Sequence, residues 1–284
     1  MPEQFVATEP TLAPVRESSA APSLPHVAAP PGWMTFEFPC NERIRSFLRI
    51  ESLMKRCREF IAGTSVAHHQ AALWSLFEIY DLVSGRGDIK SELLQELDRQ
   101  RQRLSHYAGK PGVADEILED LMQRIQKIFA DLSSVQTRLG PHLKEHEWLQ
   151  LVRGRFSIPG GTCEFDVPSL HVWMNRPADV RQQMLNSWYQ SIHPIFDGVD
   201  TVLRLLREGT RPDSYVASRG YFELAMDGRQ SQIIRVAVPK QPEVVAEISA
   251  NKYVVAVRFR QPECNMHLKS IEQDIPFQLT LCNL

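Results

Sequence analysis

Apolar residues recur at helical spacing through most of the chain between residues 41 and 208. Stripes with a period of about 3.6 residues predict successive amphipathic helices. Their expected extents are 41–61, 65–84, 88–108, 117–135 and 142–154, followed by a helical region at 169–208 with a break at Pro177 and a kink at Pro194. Helices of this kind, joined by short connections, are typical of a bundle, because each apolar stripe needs another to cover it.

The pattern changes from helical to alternating after Pro212. Strands are expected at 215–226, 232–239, 252–260 and 275–282, and Asp227-Gly228 predicts a hairpin between the first two. A short strand at 35–39 ends at a proline, so either it or the last strand is expected at a sheet edge. Helices followed by strands predict an α+β fold, with a helical bundle domain and a smaller antiparallel β domain.

The first 33 residues differ in composition from everything that follows. They are rich in proline, alanine and serine, and such a segment buries too little apolar surface to offset its ordering entropy. We expect a disordered tail at 1–33, with Met34 as an alternative start. A helical domain at 34–210 follows, whose strand at 35–39 pairs with a β domain at 211–284.

Composition narrows the class of protein. The net charge is −2, whereas nucleic-acid binders usually have a large basic excess, so any basic site must be local. The five cysteines are widely spaced, which favours reduced thiols over a disulfide framework. No apolar run is long enough for a transmembrane helix, and the N-terminus lacks the pattern of a secretory signal. The expected location is the cytoplasm.

The chain carries no recognisable catalytic motif. His142 and His146 are four residues apart, a spacing that can hold a metal, but no third ligand is evident and a solvated charged face is favoured. Cys163 follows a glycine turn and would need Arg153 or Arg155 nearby to become a reactive thiolate. The sequence therefore predicts neither an enzyme nor a cofactor, with Cys163 or the histidine pair as the basis of an alternative.

Two groups of basic residues are candidates for binding a partner. Arg45, Arg49 and Arg56 fall within a narrow arc of the first helix, since four residues advance about 40° past one turn. Arg153 and Arg155 lie at the end of the fifth helix, where cations also suit the helix dipole. Solvated arginines and a site for carboxylates stay open as interpretations. A nucleic-acid-binding regulator that uses the basic face of the first helix is an alternative function.

Four stretches carry a resemblance to a known family. They are FEFPCNERIRSFLRIESL at 36–53, SELLQELDRQRQRL at 91–104, LVRGRFSIPGGTCEFDVPSLHVWM at 151–174 and GYFELAMDG at 220–228. Through them the chain resembles the ZapD family of bacterial cell-division proteins from about residue 35 to its C-terminus. The run from SIPGG to the tryptophan of LHVW is long and specific.

The resemblance implies both a fold and a function. Members have a helical domain beside a β domain and form homodimers. They bind the C-terminal tail of FtsZ, the tubulin-like division GTPase, and promote lateral association of its filaments at the mid-cell ring. The resemblance implies no enzymatic activity, and we expect no nucleic-acid or membrane partner.

Individual positions follow from the resemblance as well. Arg49 and His171 match charged positions associated with filament bundling, although a partly buried His171 packed beside Trp173 is an alternative. A third such position, an arginine in the family, is Glu147 here, and Lys144 is expected to supply the charge instead. The expected FtsZ-binding residues are therefore Arg45, Arg49, Arg56, Lys144, Arg153, Arg155 and His171.

Overall fold

The computed structural model describes residues 31–85, 88–109, 115–134 and 145–283 of the chain. In this part the helices are α1 (Glu42–Ala62), α2 (Val66–Gly85), α3 (Ile89–Ser105), α4 (Asp115–Ser134), α5 (Glu147–Phe156), α6 (Pro168–Met174), α7 (Ala178–Gln190) and α8 (His193–Glu208). The strands are β1 (Trp33–Pro39), β2 (Asp213–Ala217), β3 (Tyr221–Ala225), β4 (Ile233–Pro239), β5 (Val245–Ala250), β6 (Val254–Pro262), β7 (Leu268–Ser270) and β8 (Ile275–Cys282). These elements confirm the predicted α+β fold.

Helix α8 is central to the helical layer and packs against α1, α3 and α4. The close approach depends on Gly198, because a Cβ at that position would lie only 2.7 Å from Cδ2 of Leu93 and 3.4 Å from Cδ1 of Leu132. Helix α2 packs against α1, α5 and α7. The apolar stripes therefore cover one another, as the helical spacing predicts.

Prolines divide the helical region that was predicted at 169–208. Pro177 immediately precedes α7, which confirms the expected break. Pro194 lies in the first turn of α8, where its missing N–H costs no helical hydrogen bond, and α7 has already ended at Gln190. The expected kink at Pro194 is therefore wrong, and the chain starts a new helix there.

The strands form two antiparallel sheets. One has the order β1-β4-β8-β2, and the other has the order β3-β6-β5 with β7 paired to β6. Aromatic rings fill the β core, and the ring centroids of Phe259 on β6 and Phe277 on β8 are 5.2 Å apart. Strand β1 lies at a sheet edge, whereas the last strand, β8, lies between β4 and β2.

The hairpin predicted at Asp227-Gly228 is wrong, although a turn is present. Both residues have positive φ, 48° for Asp227 and 77° for Gly228, as a tight turn requires. However, β3 pairs with β6, while β4 pairs with β1 and β8. The turn therefore carries the chain from one sheet to the other. The strand predicted at 215–226 is in fact β2 and β3, and β5 was not predicted.

A buried ion-pair network joins the helices to the sheet that contains β1. Arg207 of α8 lies 2.7 Å from carboxylate oxygens of both Glu37 on β1 and Glu51 on α1, and Arg235 on β4 lies 2.9 Å from Glu37. Burial by itself would raise the pKa of Glu51, but hydrogen bonds and charges from Arg207 and Lys55 outweigh it and hold that pKa at about 2. The network joins the middle of α1 and the C-terminal end of α8 to the sheet through charge as well as packing.

Apolar contacts cross the same junction. Ile233 of β4 and Cys282 of β8 are fully buried in the core of the helical layer rather than in the β core. Burial raises the pKa of the Cys282 thiol to about 12, so this side chain acts as a small apolar group. The separation into domains at 210 and 211 stays a prediction.

Candidate protein-binding surface

Helix α1 begins at a side-chain cap and turns a polar face outward. Oδ1 of Asn41 accepts a hydrogen bond from the backbone N–H of Ile44 at 2.9 Å, which satisfies one free amide of the first turn. The apolar stripe of α1 is buried against α2 and α8. Arg45, Arg49 and Arg56 consequently lie toward solvent, as their spacing predicts.

The three arginines of α1 differ in their partners. Nε of Arg45 donates a hydrogen bond to Oε1 of Glu42 at 3.0 Å. Arg56 forms an ion pair with Glu78 of α2. Arg49 is exposed and has no hydrogen bond or ion pair with another residue in the described ranges. The arc therefore presents one uncompensated cation, with a compensated one on either side along the helix.

The two basic residues at the end of α5, Arg153 and Arg155, also differ in whether they have a partner. Arg153 forms an ion pair with Asp81 of α2, and its guanidinium carbon lies 4.8 Å from the centroid of the Tyr80 ring. Arg155 is partly buried, and its side chain has no polar partner within the part of the chain that is described. Of this pair, Arg155 keeps an uncompensated charge and Arg153 is held against α2.

Helix α2 brings arginines from two other helices to one face. Glu78 and Asp81 are three residues apart on α2 and are therefore neighbours on its surface. Arg56 reaches Glu78 from α1, and Arg153 reaches Asp81 from α5. The result is a row of four charges in which two carboxylates of α2 lie between an arginine of α1 and an arginine of α5. Sequence reasoning missed both carboxylates, and their spacing on the polar side of α2 is the signal that identifies them.

His171 lies on the exposed side of α6. Its Nδ1 is 3.7 Å from Oε2 of Glu164, and its Nε2 is 3.3 Å from Nδ2 of Asn175. Trp173, in contrast, is buried, and its ring centroid is 5.8 Å from that of Trp148. About half of the His171 side chain is exposed, and no ring contact joins it to Trp173 among the described residues.

The start of α5 is the position at which the family resemblance expects an arginine. Glu147 is exposed in the first turn, where a negative charge is favourable to the helix dipole. His146 is the N-cap, and its Nδ1 accepts a hydrogen bond from the backbone N–H of Leu149 at 3.4 Å. Lys144 and His142 lie outside the described residues, so compensation by Lys144 stays a prediction.

The remaining candidates from the sequence are metal ligands and a reactive thiol. Over the described ranges, no group of three or more His, Cys, Asp or Glu side chains is placed to hold a metal ion. Cys163 is exposed, and no hydrogen bond links its thiol to Arg153 or Arg155 in the same ranges. None of the helices that the structure describes is both long enough and apolar enough to cross a membrane.

A comparison with protein families gives one match. The family model described as ZapD, cell division protein, matches residues 48–258. The matched range contains Arg49, Arg56 and His171 as well as α2 and α5. Arg45 precedes it.

Proposed function

The chain belongs to the ZapD family of cell division proteins, and on that premise we propose that it is a non-enzymatic division factor that binds FtsZ. As a homodimer it promotes the lateral association of FtsZ filaments at the mid-cell ring. The observation that carries the proposal is an arginine, Arg49, that is exposed on the polar face of α1 and has no charged partner among the described residues.

Arg49 has the properties of a contact for a partner's carboxylate. Its neighbours on the same face, Arg45 and Arg56, already have carboxylate partners, so the charge of Arg49 is the one still available there. A guanidinium can bind a carboxylate through two parallel hydrogen bonds. A flexible tail that contains carboxylates supplies such groups, and the interaction weakens as salt screens it.

Two copies of this surface are needed to link filaments. A two-fold dimer displays the same patch twice, so it can hold tails from two filaments. Each filament offers many tails, and multivalency converts weak single contacts into stable bundles. Two further candidates for the contact are the half-exposed His171 and Arg155, whose side chain has no polar partner in the described part of the chain.

Three buried charged groups serve the fold in this proposal. Arg207 and Glu51 neutralise each other between the layers, and Arg181 is 5 % exposed and donates a hydrogen bond to Nδ1 of His69 at 2.9 Å. Burial raises the pKa of the Cys57 thiol to about 12, which removes it as a nucleophile near neutral pH. These groups stabilise packing, and the proposed function makes or breaks no covalent bond.

The surface charges favour a protein partner over nucleic acid. Arg45, Arg56 and Arg153 each pair with a carboxylate of the same chain. A phosphate backbone is bound by several uncompensated cations in a row, because the release of counterions drives that binding. The two carboxylates of α2 that lie among these arginines are unsuited to such a polyanion.

The test is a sedimentation assay with purified FtsZ and GTP. We expect Arg49→Glu to reduce the FtsZ that pellets with this protein, while the dimer measured by light scattering stays intact. Lys127→Glu is the matched control, because Lys127 is also an exposed cation within a long helix, α4, and lies outside the proposed surface. Undiminished pelleting with Arg49→Glu, or an equal loss with Lys127→Glu, would contradict the proposed surface.

A further inference from the structure

A hollow of about 690 Å³ lies where the helices meet the turns of the β layer. Its walls are the start of α1, the middle of α3, the segment at 228–232 and the β5–β6 turn at 250–252. Pockets that hold ligands generally measure about 300–1,000 Å³. The hollow is separate from the face of α2 described above, and the proposed function assigns it no role.

Positive charge dominates the lining of this hollow. Its cations are those of Arg43, Arg99, Arg229 and Lys252, and among the described residues one carboxylate, that of Glu96, lines it. Four cations against one carboxylate leave a formal excess of three positive charges, although the whole chain has a net charge of −2. The N-terminal end of α1 also lines the hollow and adds positive partial charge.

The buried carboxylate of Glu96 holds two of these cations in place. The side chain of Glu96 is only 1 % exposed, and its carboxylate lies 3.4 Å from Nη1 of Arg43 and 2.5 Å from Nη2 of Arg99. The arginines themselves are about one-third exposed. One buried carboxylate thus orients two partly exposed guanidinium groups that line the hollow, and Nη2 of Arg43 is also held by Oε1 of Gln95 at 3.3 Å. Such positioning lowers the ordering cost of binding an anion.

The opposite wall is also set by local contacts. Nε of Arg229 donates to the backbone carbonyl of Met226 at 3.0 Å. The ammonium of Lys252 lies 4.7 Å from the centroid of the neighbouring Tyr253 ring. Carbonyl and ring contacts do not neutralise these cations as a carboxylate would. The exposed carboxylate of Asp227 lies 3.9 Å from Nη2 of Arg229, which is a long distance for an ion pair.

Uncharged donors complete the lining. Oδ1 of Asn41 accepts from Ile44 at the cap of α1, and Oδ1 of Asn251 accepts from the backbone N–H of Val254 at 3.0 Å. Each asparagine uses its oxygen within the fold, and this leaves its NH₂ group, which can only donate. Donors beside arginines suit carboxylates, which only accept.

We propose that this hollow binds an acidic segment of a partner polypeptide through two or more of its carboxylates. No Phe, Tyr or Trp is among the residues that line it, whereas single-stranded nucleic acids are bound largely by stacking of bases on aromatic rings. An extended peptide can place carboxylates between the two walls. The proposal deepens the proposed function and rests on it in one respect, since it takes the FtsZ tail as the source of the segment.

The test uses the full chain and two fluorescent peptides, the FtsZ C-terminal tail and hexaglutamate. The double variant Arg229→Glu with Lys252→Glu reverses one wall of the hollow. The double variant Lys240→Glu with Lys269→Glu makes the same change in net charge at exposed positions of the β layer outside it. We expect the Kd for the tail to rise about tenfold or more in the first variant and less than about twofold in the second. Thermal unfolding of both variants checks that they fold.

The outcomes separate the hollow from the proposed function. Equal weakening in both double variants means that only long-range charge is sensed, and it overturns the hollow as a site. If Arg49→Glu abolishes tail binding and the first double variant does not, the hollow is again overturned and the face of α1 is supported as the binding site.

If wild-type protein does not bind the tail, the proposed function fails. In that case hexaglutamate decides: binding that the first double variant loses supports the hollow, and absence of binding overturns it. Displacement of the tail by duplex DNA at a lower charge concentration than by hexaglutamate would overturn the assignment to a peptide.

Discussion

Arginines occur in two settings in this molecule, and the setting separates those that stabilise the fold from those that can meet a partner. Arg207 is 8 % exposed and lies between Glu37 and Glu51, so its charge is compensated by two carboxylates of the same chain. Arg49 is exposed and uncompensated within the described residues. Removal of the first should therefore affect unfolding, and removal of the second should affect binding.

Arg181 shows that a buried arginine does not need a carboxylate. Its Nη1 donates to the carbonyl of Met174 at 2.8 Å, its Nη2 donates to the carbonyl of Thr64 at 3.2 Å, and its Nε donates to Nδ1 of His69. Met174 ends α6 and Thr64 follows the end of α1, where helix dipoles are negative. Burial lowers the pKa of His69, which keeps its ring neutral and able to accept. Partial charges at helix ends thus replace a formal negative charge.

The largest expected effect comes from Arg207→Met. The substitution keeps most of the side-chain volume but removes the cation that Glu37 and Glu51 share, so that Glu37 is left with Arg235 and Glu51 is left with Lys55. Loss of one partner of a buried ion pair typically costs about 3–5 kcal/mol, and we expect a loss near the lower end of that range because each carboxylate keeps one cation. Urea unfolding at pH 7 should show this loss in the free energy of unfolding.

Arg211→Met is the control for that measurement. Arg211 is exposed in the segment after α8, four residues further along the chain. Its replacement should change the free energy of unfolding by less than about 0.5 kcal/mol. A loss below about 1 kcal/mol for Arg207→Met would contradict the network's role in joining the helices to the sheet.

Acid should weaken the same network in a defined range. The pKa of Glu51 is about 2 in the folded protein, against an ordinary value of 4.5. A lowered pKa contributes stability that is present above pH 4.5 and is lost as the pH falls toward 2. By pH 3 this linkage corresponds to a loss of about 2 kcal/mol. Urea unfolding at pH 5 and pH 3 measures it, and the decrease should be smaller by that amount in Glu51→Gln. Equal decreases in the two proteins would refute the assignment to Glu51.

The sequence predicts local features of this fold better than pairings between distant residues. The helical period correctly turns Arg45, Arg49 and Arg56 outward, because that outcome depends only on residues of one helix. It does not predict that Glu78 forms an ion pair with Arg56, since that contact depends on how α1 and α2 pack. Residues 37 and 207 are far apart in the chain, so their ion pair carries no local signal.

Strand pairing shows the same limit. Asp227-Gly228 forms the turn that its chemistry predicts, but the strands on either side pair with other strands. Which strands meet is fixed by the burial of rings such as Phe259 and Phe277 between two sheets. That packing is a property of the whole β layer and not of the turn.

The smallest expected changes in stability are those for two arginines of the same helix face, which should nevertheless differ in their effect on binding. Arg49→Ala and Arg56→Ala remove the same charge, and each should lower the free energy of unfolding by less than about 1 kcal/mol, because exposed ion pairs contribute little. Their effects on FtsZ pelleting should differ. Arg49 is uncompensated, whereas Arg56 is paired with Glu78 and must give up that contact before it can bind a partner. We therefore expect Arg49→Ala to reduce pelleting more than Arg56→Ala in parallel assays. An equal reduction would mean that Arg56 leaves Glu78 readily, so that intramolecular pairing would no longer distinguish the arginines that bind from those that do not.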